Sequence, residues 1–271
     1  MTAPTLVLLA AGMGSRFGGL KQLAPVGPAG EAIFDYTVRD AQAAGITHVV
    51  VIVREEIRDQ IAAHVARAWP AGLDVDWVVQ EVPPHRSKPF GTADAVRATR
   101  PAVDGPFLVL NADDHYGAEC FAPIATHLAR TTEHALVGFR VDHTLLGAGP
   151  VNRGRVWADT DNAVTGVAEG RVEIGPDGGL TWSGSGRTDH LAGDEPVSMN
   201  LWGFQPSLYD WLDRAWAEFP RDGDAEFLLP SVVDQLRTHE TVRLIPTEAW
   251  CLGVTHPDDL PLLQAAAKDW G

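Results

Sequence analysis

The feature that most constrains this chain is a short apolar run, Leu6 to Leu9, which breaks at Ala10-Ala11 into a loop holding Gly12, Gly14, Gly18 and Gly19 together with Arg16 and Lys21. An apolar run of that length ending in turn-forming residues reads as a buried strand that feeds a loop. Glycines without side chains let the backbone take positive φ and bring its N–H groups close to an anion. Arg16 adds a planar fork of donors that matches phosphate oxygens, and Lys21 adds a compact charge on a flexible stem. The stretch reads as a triphosphate site.

Two familiar phosphate motifs do not fit it. A P-loop needs Gly-x-x-x-x-Gly-Lys-Ser/Thr, yet Leu20 follows Gly19 and Gln22 follows Lys21, so no hydroxyl stands ready for magnesium. A dinucleotide fingerprint needs a third glycine where Phe17 stands.

Composition narrows the classes further. Acidic residues (36) outnumber Lys and Arg (21) and leave a formal charge of -15, a surface that repels nucleic acid and makes a local cationic cluster informative. Cys120 and Cys251 are the only cysteines, too few for a disulfide framework and without metal-ligand spacing, which points to a reducing cytoplasm. The ten histidines show no zinc-type pairing. The N-terminal apolar run is too short to span a bilayer and lacks a basic leader, so no membrane role is expected.

From Leu6 to about Val141, strand-like runs alternate with helical patterns. The runs are Leu6 to Leu9, His48 to Val53, Val75 to Val79, Phe107 to Leu110 and Ala135 to Val141. Between them, Ile57, Ile61, Val65 and Trp69 recur at helical spacing, Ala32 to Ala44 ends at Gly45, and Thr92 is placed to cap a helix through Val96. Such alternation predicts an α/β fold, a Rossmann-like and mainly parallel sheet flanked by helices. After Asp142 the expected pieces are short strands at Arg155 to Ala158, Ala163 to Ala168, Arg171 to Ile174 and Leu180 to Trp182, then a strand at Val197 to Phe204. Helices are expected at Leu208 to Phe219, Phe227 to Leu236 and Leu260 to Trp270, and residues 184 to 194 read as a glycine-rich, mobile loop. No linker or repeat divides the chain, so a single domain over 1–271 is expected, with a nucleotide-binding half to about 141 and a smaller mixed β/α extension over 142–271. Ligands in open sheets of this kind sit beyond the carboxyl ends of the strands.

The whole string Leu-x-Ala-Ala-Gly-x-Gly-x-Arg-Phe followed by Lys21 resembles the signature of the sugar-phosphate nucleotidyltransferases. The resemblance continues at Gly91-Thr92-Ala93-Asp94-Ala95-Val96 and at Leu110-Asn111-Ala112-Asp113-Asp114. It implies catalytic roles for Arg16, Lys21 and Asp113, and a nucleotide site made of Leu9, Ala10, Ala11, Gly12, Gly14, Ser15, Gln80, Gly91 and Thr92. It also implies Mg²⁺ on Asp113, with Asp114 as second ligand or water-holding neighbour; magnesium favours few carboxylates plus phosphate and water. Gly154, Glu169 and Asn200 become the acceptor-binding positions, with Glu226 a weaker one. Gln80 carries an amide that donates and accepts at once, which suits a pyrimidine edge.

The implied reaction joins a nucleoside triphosphate to a sugar 1-phosphate, giving an NDP-sugar and pyrophosphate. Two departures stand out. A lysine usual after the pocket glutamate is replaced by Gly170-Arg171, and an aspartate usual before a Gly-Thr near the C-terminus is missing from its expected place in Trp250-Cys251-Leu252-Gly253-Val254-Thr255-His256-Pro257-Asp258-Asp259. The second metal ligand is then Asp114, Asp258 or none. The acceptor phosphate is left to Arg153, Arg171 or the cluster His85, Arg86 and Lys88. These gaps keep open a cytidylyltransferase for a non-sugar phosphate such as phosphocholine, or a silent nucleotide-sensing module of the same fold. Oligomeric state is left undetermined, a homo-oligomer included.

Overall fold

The computed structural model describes residues 3–12, 20–147, 149–254 and 257–270. Gly14, Ser15 and Arg16 of the expected phosphate loop lie outside the described residues.

The first half runs β1 (Thr5–Leu9), α1 (Ile33–Ala43), β2 (His48–Val53), α2 (Glu55–Ala68), β3 (Asp74–Val79), α3 (Thr92–Ala98), β4 (Phe107–Asn111), a two-residue β5 (Asp114–His115), α4 (Phe121–Arg130) and β6 (His134–Arg140). Strand β1 lies in the middle, parallel to β2 on one side and β4 on the other, with β3 parallel to β2 at the edge. Its side chains alternate between two cores. Leu6 and Leu8 pack with Phe34, Ile61 and Ile124 of α1, α2 and α4, while Val7 packs with Ala93 and Val96 of α3. Helices on both faces explain why the run is continuously apolar rather than alternating. Each fully buried aliphatic side chain there stabilises the fold by about 1.5–3 kcal/mol.

The second half adds β7 (Val151–Ala158), β8 (Val164–Ile174), β9 (Leu180–Gly184), β10 (Arg187–Leu191), β11 (Pro196–Phe204), α5 (Leu208–Glu218), α6 (Leu229–Leu236), β12 (Val242–Thr247), β13 (Leu252–Gly253) and α7 (Leu260–Ala266). Among the described residues, eleven strands form one sheet, and β11 is the hinge of it: antiparallel to β4, β6 and β7 at once. Its register shifts between Ser198 and Trp202, and Asn200 at that bulge has φ 62. A non-glycine residue in the left-handed region at a bulge is a backbone arrangement that re-aims a side chain. Strands β5 and β13 form a separate antiparallel pair.

Several sequence expectations are corrected. Ala163 to Ala168 and Arg171 to Ile174 are one unbroken strand, β8, because Gly170 does not end it; an added Cβ there would lie 2.2 Å from the Trp182 indole, so the glycine makes room for packing. Residues 184 to 194 are no open loop: Arg187 to Leu191 pair with β9 through a tight turn in which Ser185 and Gly186 have φ 51 and 77. Strand β12, parallel to β6, was not anticipated, since Pro246 and two threonines obscure its pattern. Helix α6 starts at Leu229 rather than Phe227, because Phe227 is hydrogen-bonded to Phe90 and Ala93 instead.

Candidate active site

The chain leaves β1 at Leu9, and the next carbonyls are fastened one by one. Gln22, 5 % exposed, donates from Nε2 to Ala10 O (3.0 Å) and Gly12 O (3.1 Å). Arg54, at the end of β2, donates from Nε to Ala11 O (3.0 Å). Holding a carbonyl fixes its whole peptide plane, so these two side chains set the course of Ala10 to Gly12. Neither was anticipated as functional. The available signal was a polar residue directly after Lys21 and a cation directly after an apolar strand.

A cleft of about 480 Å³ opens beyond the ends of β1, β3 and β4, a volume that suits a nucleotide. Leu9, Ala11 and Gly12 line one side, Gln80, Gly91 and Thr92 another, and Asn111 and Asp113 its floor. Gln80 donates from Nε2 to Gly91 O at 2.8 Å, a bond that uses one of its two N–H donors and not its Oε1. Gly91 has φ 133, and a Cβ there would lie 2.5 Å from Phe227 O. Thr92 does not cap α3: Gly91 holds the N-cap position without a side-chain bond, while Thr92 Oγ1 accepts from Leu229 N at 3.0 Å.

The two aspartates after β4 differ in setting. Asp113 Oδ2 lies 2.5 Å from Lys21 Nζ. Asp114 accepts from Asn111 Nδ2 at 2.9 Å, and its carboxyl is pushed up to about 6 by burial and by the neighbouring Asp113, against the pull of Asn111, Arg153 and Lys21. The β5–β13 pairing places Gly253 opposite Asp114, where an added Cβ would lie 1.7 Å from Asp114 Oδ1. The Asp114 carboxylate therefore fills the space that a side chain at 253 would need.

A second, smaller cleft of about 160 Å³ joins the first, and both are lined by Asn111 and Asp113. Gly154 sits opposite Glu169 on β7 and β8, and an added Cβ there would come 3.3 Å from Glu169 Oε1. Glu169 still faces solvent through the cleft, yet desolvation raises its carboxyl, opposed by Arg153. Arg153 is tied by Nε to Thr144 Oγ1 (2.9 Å), by Nη1 to Asn152 O (2.7 Å) and by Nη2 to Thr144 O. Burial lowers its guanidinium, opposed by Asp114 and then by Cys251 and Glu169. Asn200, at the β11 bulge, reaches the same cleft.

The predicted residues thus fall into two connected groups. Leu9, Ala11, Gly12, Gln80, Gly91, Thr92 and Asp113 line the larger cleft, with Ala10 buried beside it. Lys21, Asp113, Asp114, Gly154, Glu169 and Asn200 line the smaller one. Glu226 lines the nucleotide-sized cleft, not the acceptor side. Arg171 is turned away onto Glu173 (2.8 Å), and the lysine missing at 170 has no room beside Trp182. Arg86 is neither solvated nor free for a phosphate; it is 9 % exposed and bound to backbone carbonyls. Asp258 does not line either cleft.

A sheet whose parallel half is covered on both faces, with a nucleotide-sized cleft at the strand ends and Asp113 where that cleft meets the smaller one lined by Asp114, defines a nucleotide-handling α/β protein. The chain belongs to the MobA-like NTP transferase domain family, whose profile matches residues 6–174, and is a nucleotidyltransferase. No curated protein sequence matches it. Solved structures share the fold: a putative glucose-1-phosphate thymidylyltransferase from Bacillus anthracis (TM-score 0.70, 12% identity, 99% of this chain and 96% of that one). An inositol-1-phosphate CTP transferase from T. maritima is similar too (0.69, 14%, 99% and 98%), as is a UDP-glucose pyrophosphorylase from Acinetobacter baumannii (0.66, 16%, 98% and 93%). Among the described residues no helix is long and apolar enough to cross a membrane.

Proposed function

We propose that this chain condenses a nucleoside triphosphate, pyrimidine bases preferred, with a sugar 1-phosphate to give an NDP-sugar and pyrophosphate. The observation that carries the reading is that the nucleotide-sized cleft and the polar cleft meet at Asn111 and Asp113, so two phosphorylated ligands would touch there. An acceptor phosphate oxygen attacks the α-phosphorus, the bond from that phosphorus to the bridging oxygen breaks, and its electron pair leaves on pyrophosphate. A phosphate monoester is largely ionised near neutral pH, so no general base is required. What remains is to align two anions and offset the spreading charge.

Lys21 stands at the meeting point and carries positive charge between the two phosphates. Gly12, Gly14 and Ser15 would hold the triphosphate through the backbone and Arg16 the departing pyrophosphate. Among the described residues no group of three His, Cys, Asp or Glu gathers to bind a metal alone. Two carboxylates, Asp113 and Asp114, beside room for phosphates and water fit Mg²⁺, which would supply charge neutralisation at the α-phosphate. Gly154, Glu169 and Asn200 would take acceptor hydroxyls, and Arg153 rather than Arg171 or His85 its negative charge.

The lining of the smaller cleft favours a polyol over choline phosphate. Asn152, Ser198, Asn200 and Glu169 offer hydroxyl partners, and among the described residues no aromatic ring lines it to receive a quaternary ammonium. The fold shared with an enzyme for inositol 1-phosphate fits the same choice. We place the reaction in the cytoplasm, and both clefts within one domain of 1–141 and 142–271 halves. Exchange of labelled pyrophosphate into UTP, dTTP, CTP, ATP and GTP, each with a panel of sugar 1-phosphates, inositol 1-phosphate and phosphocholine, tests all of this. Exchange with phosphocholine alone, or none with any pair, would reject it.

A further inference from the structure

Arg86 was read from the sequence as part of a cationic loop, and the structure gives it a different place. It is 9 % exposed, and among the described residues it meets no carboxylate. Its donors go to main-chain carbonyls: Nη1 to Gly223, Nη2 to Ala225 (2.9 Å) and Nε to Lys88 (3.3 Å). The guanidinium also lies over the Phe90 ring at 4.5 Å. A charged group is costly to bury unless its hydrogen bonds are made, so these carbonyls and this cation hold one another in place.

Two of these carbonyls, those of Gly223 and Ala225, belong to a segment of the second half, residues 223–229, laid along the wall of the nucleotide-sized cleft. Phe227 N donates to Phe90 O at 2.6 Å, and Ala93 N donates to Phe227 O at 3.0 Å. Thr92 Oγ1 takes Leu229 N, and Gly91 lacks a Cβ where the Phe227 backbone passes. Lys88 and Glu226, both lining the cleft, pair across its rim at 3.1 Å. Beneath, Phe90, Trp216, Phe219 and Phe227 pack with ring centroids 5.0–6.1 Å apart. Gln80, in turn, is held by Gly91 O.

We propose that Arg86 is a positioning residue for the nucleobase wall: by clasping Gly223 and Ala225 it docks this strap onto Phe90 to Thr92 and so sets nucleotide affinity from the far half of the chain. The proposal rests on the functional reading above. Arg86 lines neither cleft, so its loss should act on nucleotide binding through the strap and spare turnover.

The test is Arg86→Met, which keeps the stem over Phe90 and removes every donor. Calorimetry with UTP, dTTP, CTP, ATP and GTP plus Mg²⁺ identifies the nucleotide that wild type binds. For that nucleotide, Kd and KM should rise at least tenfold, with kcat within threefold and acceptor KM within twofold of wild type. Trypsin should also cut faster after Arg221, just before the strap, and bound nucleotide should protect wild type better than the variant. Unchanged nucleotide Kd, or a fall in kcat at constant KM, would overturn the proposal. Should Arg86→Met not fold, Arg86→Lys keeps the charge but cannot span both carbonyls, and a Kd rise of about threefold or more is expected from it; wild-type affinity would overturn the proposal equally. Absence of binding by wild type itself is a failure of the functional reading, seen before any substitution is made.

Discussion

Lys21 Nζ lies 2.5 Å from Asp113 Oδ2, with only 15% of the lysine side chain and 34% of the aspartate exposed. The ammonium therefore rests on the carboxylate that the proposed function gives to a metal ion. Two cations 4 Å apart repel by about 4 kcal/mol per unit charge at an effective dielectric of 20. On the proposed function they would be rivals for Asp113 until phosphate arrives to take the lysine.

Lys21→Met should accordingly separate binding from catalysis. Mn²⁺ alone, followed by the loss of its free paramagnetic signal, is expected to bind the variant at least tenfold more tightly than wild type. Turnover with nucleotide and acceptor should fall by roughly 100-fold or more, the scale of losing one transition-state donor. Equal Mn²⁺ affinity in both proteins would show that the ion pair does not guard the carboxylate.

Gly253 is the opposite case, a residue whose importance is its emptiness. An alanine Cβ would stand 1.7 Å from Asp114 Oδ1, so one of them must move, and the backbone is fixed by the β5–β13 pairing. Gly253→Ala should displace the Asp114 carboxylate and lower kcat by tenfold or more with Mg²⁺. A variant of parental activity and melting temperature would mean that Asp114 has no set place in the site.

How far the sequence carried depended on the kind of signal. The parallel half was legible because β1, β2 and β4 are runs of apolar residues on both faces, and polar residues such as Arg54, Gln80 and Asn111 mark where β2, β3 and β4 end. The antiparallel half was only partly legible: in β8 apolar and polar residues mix along eleven positions, and Gly170 mimicked a break while serving Trp182. Contacts between distant segments left no local trace. Nothing near Arg86 announces Gly223, and nothing near Thr92 announces Leu229. Glu226 carried a recognisable motif but lies on the nucleotide side, a placement that only the folded strap decides.

Gly170 makes the missing lysine testable. Restoring the lysine usual in similar enzymes by Gly170→Lys would drive a side chain into Trp182, whose indole carbon lies 2.2 Å from the added Cβ. Overpacking of that sort costs about 1–3 kcal/mol. The variant should melt at a lower temperature and gain no affinity for sugar 1-phosphate. Tighter acceptor binding at full stability would show that Trp182 yields and that the lysine site is intact.

On the proposed function, Glu169 serves the acceptor alone. It lines the smaller cleft and not the larger one, so Glu169→Gln should raise acceptor KM about tenfold, the scale of one lost charge-assisted hydrogen bond. Nucleotide KM should stay within twofold. A matching rise in nucleotide KM would place the residue in a shared structural role.

Far from both clefts, His134 makes acid stability testable. It is fully buried; Nδ1 accepts from Gln205 N (3.2 Å), so the ring proton is on Nε2 and is donated to Glu240 Oε2 (3.0 Å). Burial lowers its pKa below the usual 6.5, opposed by Glu240. The folded ring stays neutral where the unfolded one takes up a proton, so the unfolded state binds more protons below about 6.5 and stability falls as pH drops through that range. Glu240 adds to the loss at lower pH. Burial would raise its carboxyl, but bonds from Trp211, Ser207 and His134 prevail and hold it down, and that stabilisation disappears on protonation. His134→Gln removes the first step while leaving a donor for Glu240. Melting curves from pH 7.5 to 5.5 should therefore be flatter for the variant than for wild type, even if the variant is the less stable at pH 7.5. Parallel curves would mean that the buried imidazole is not the group that resists acid.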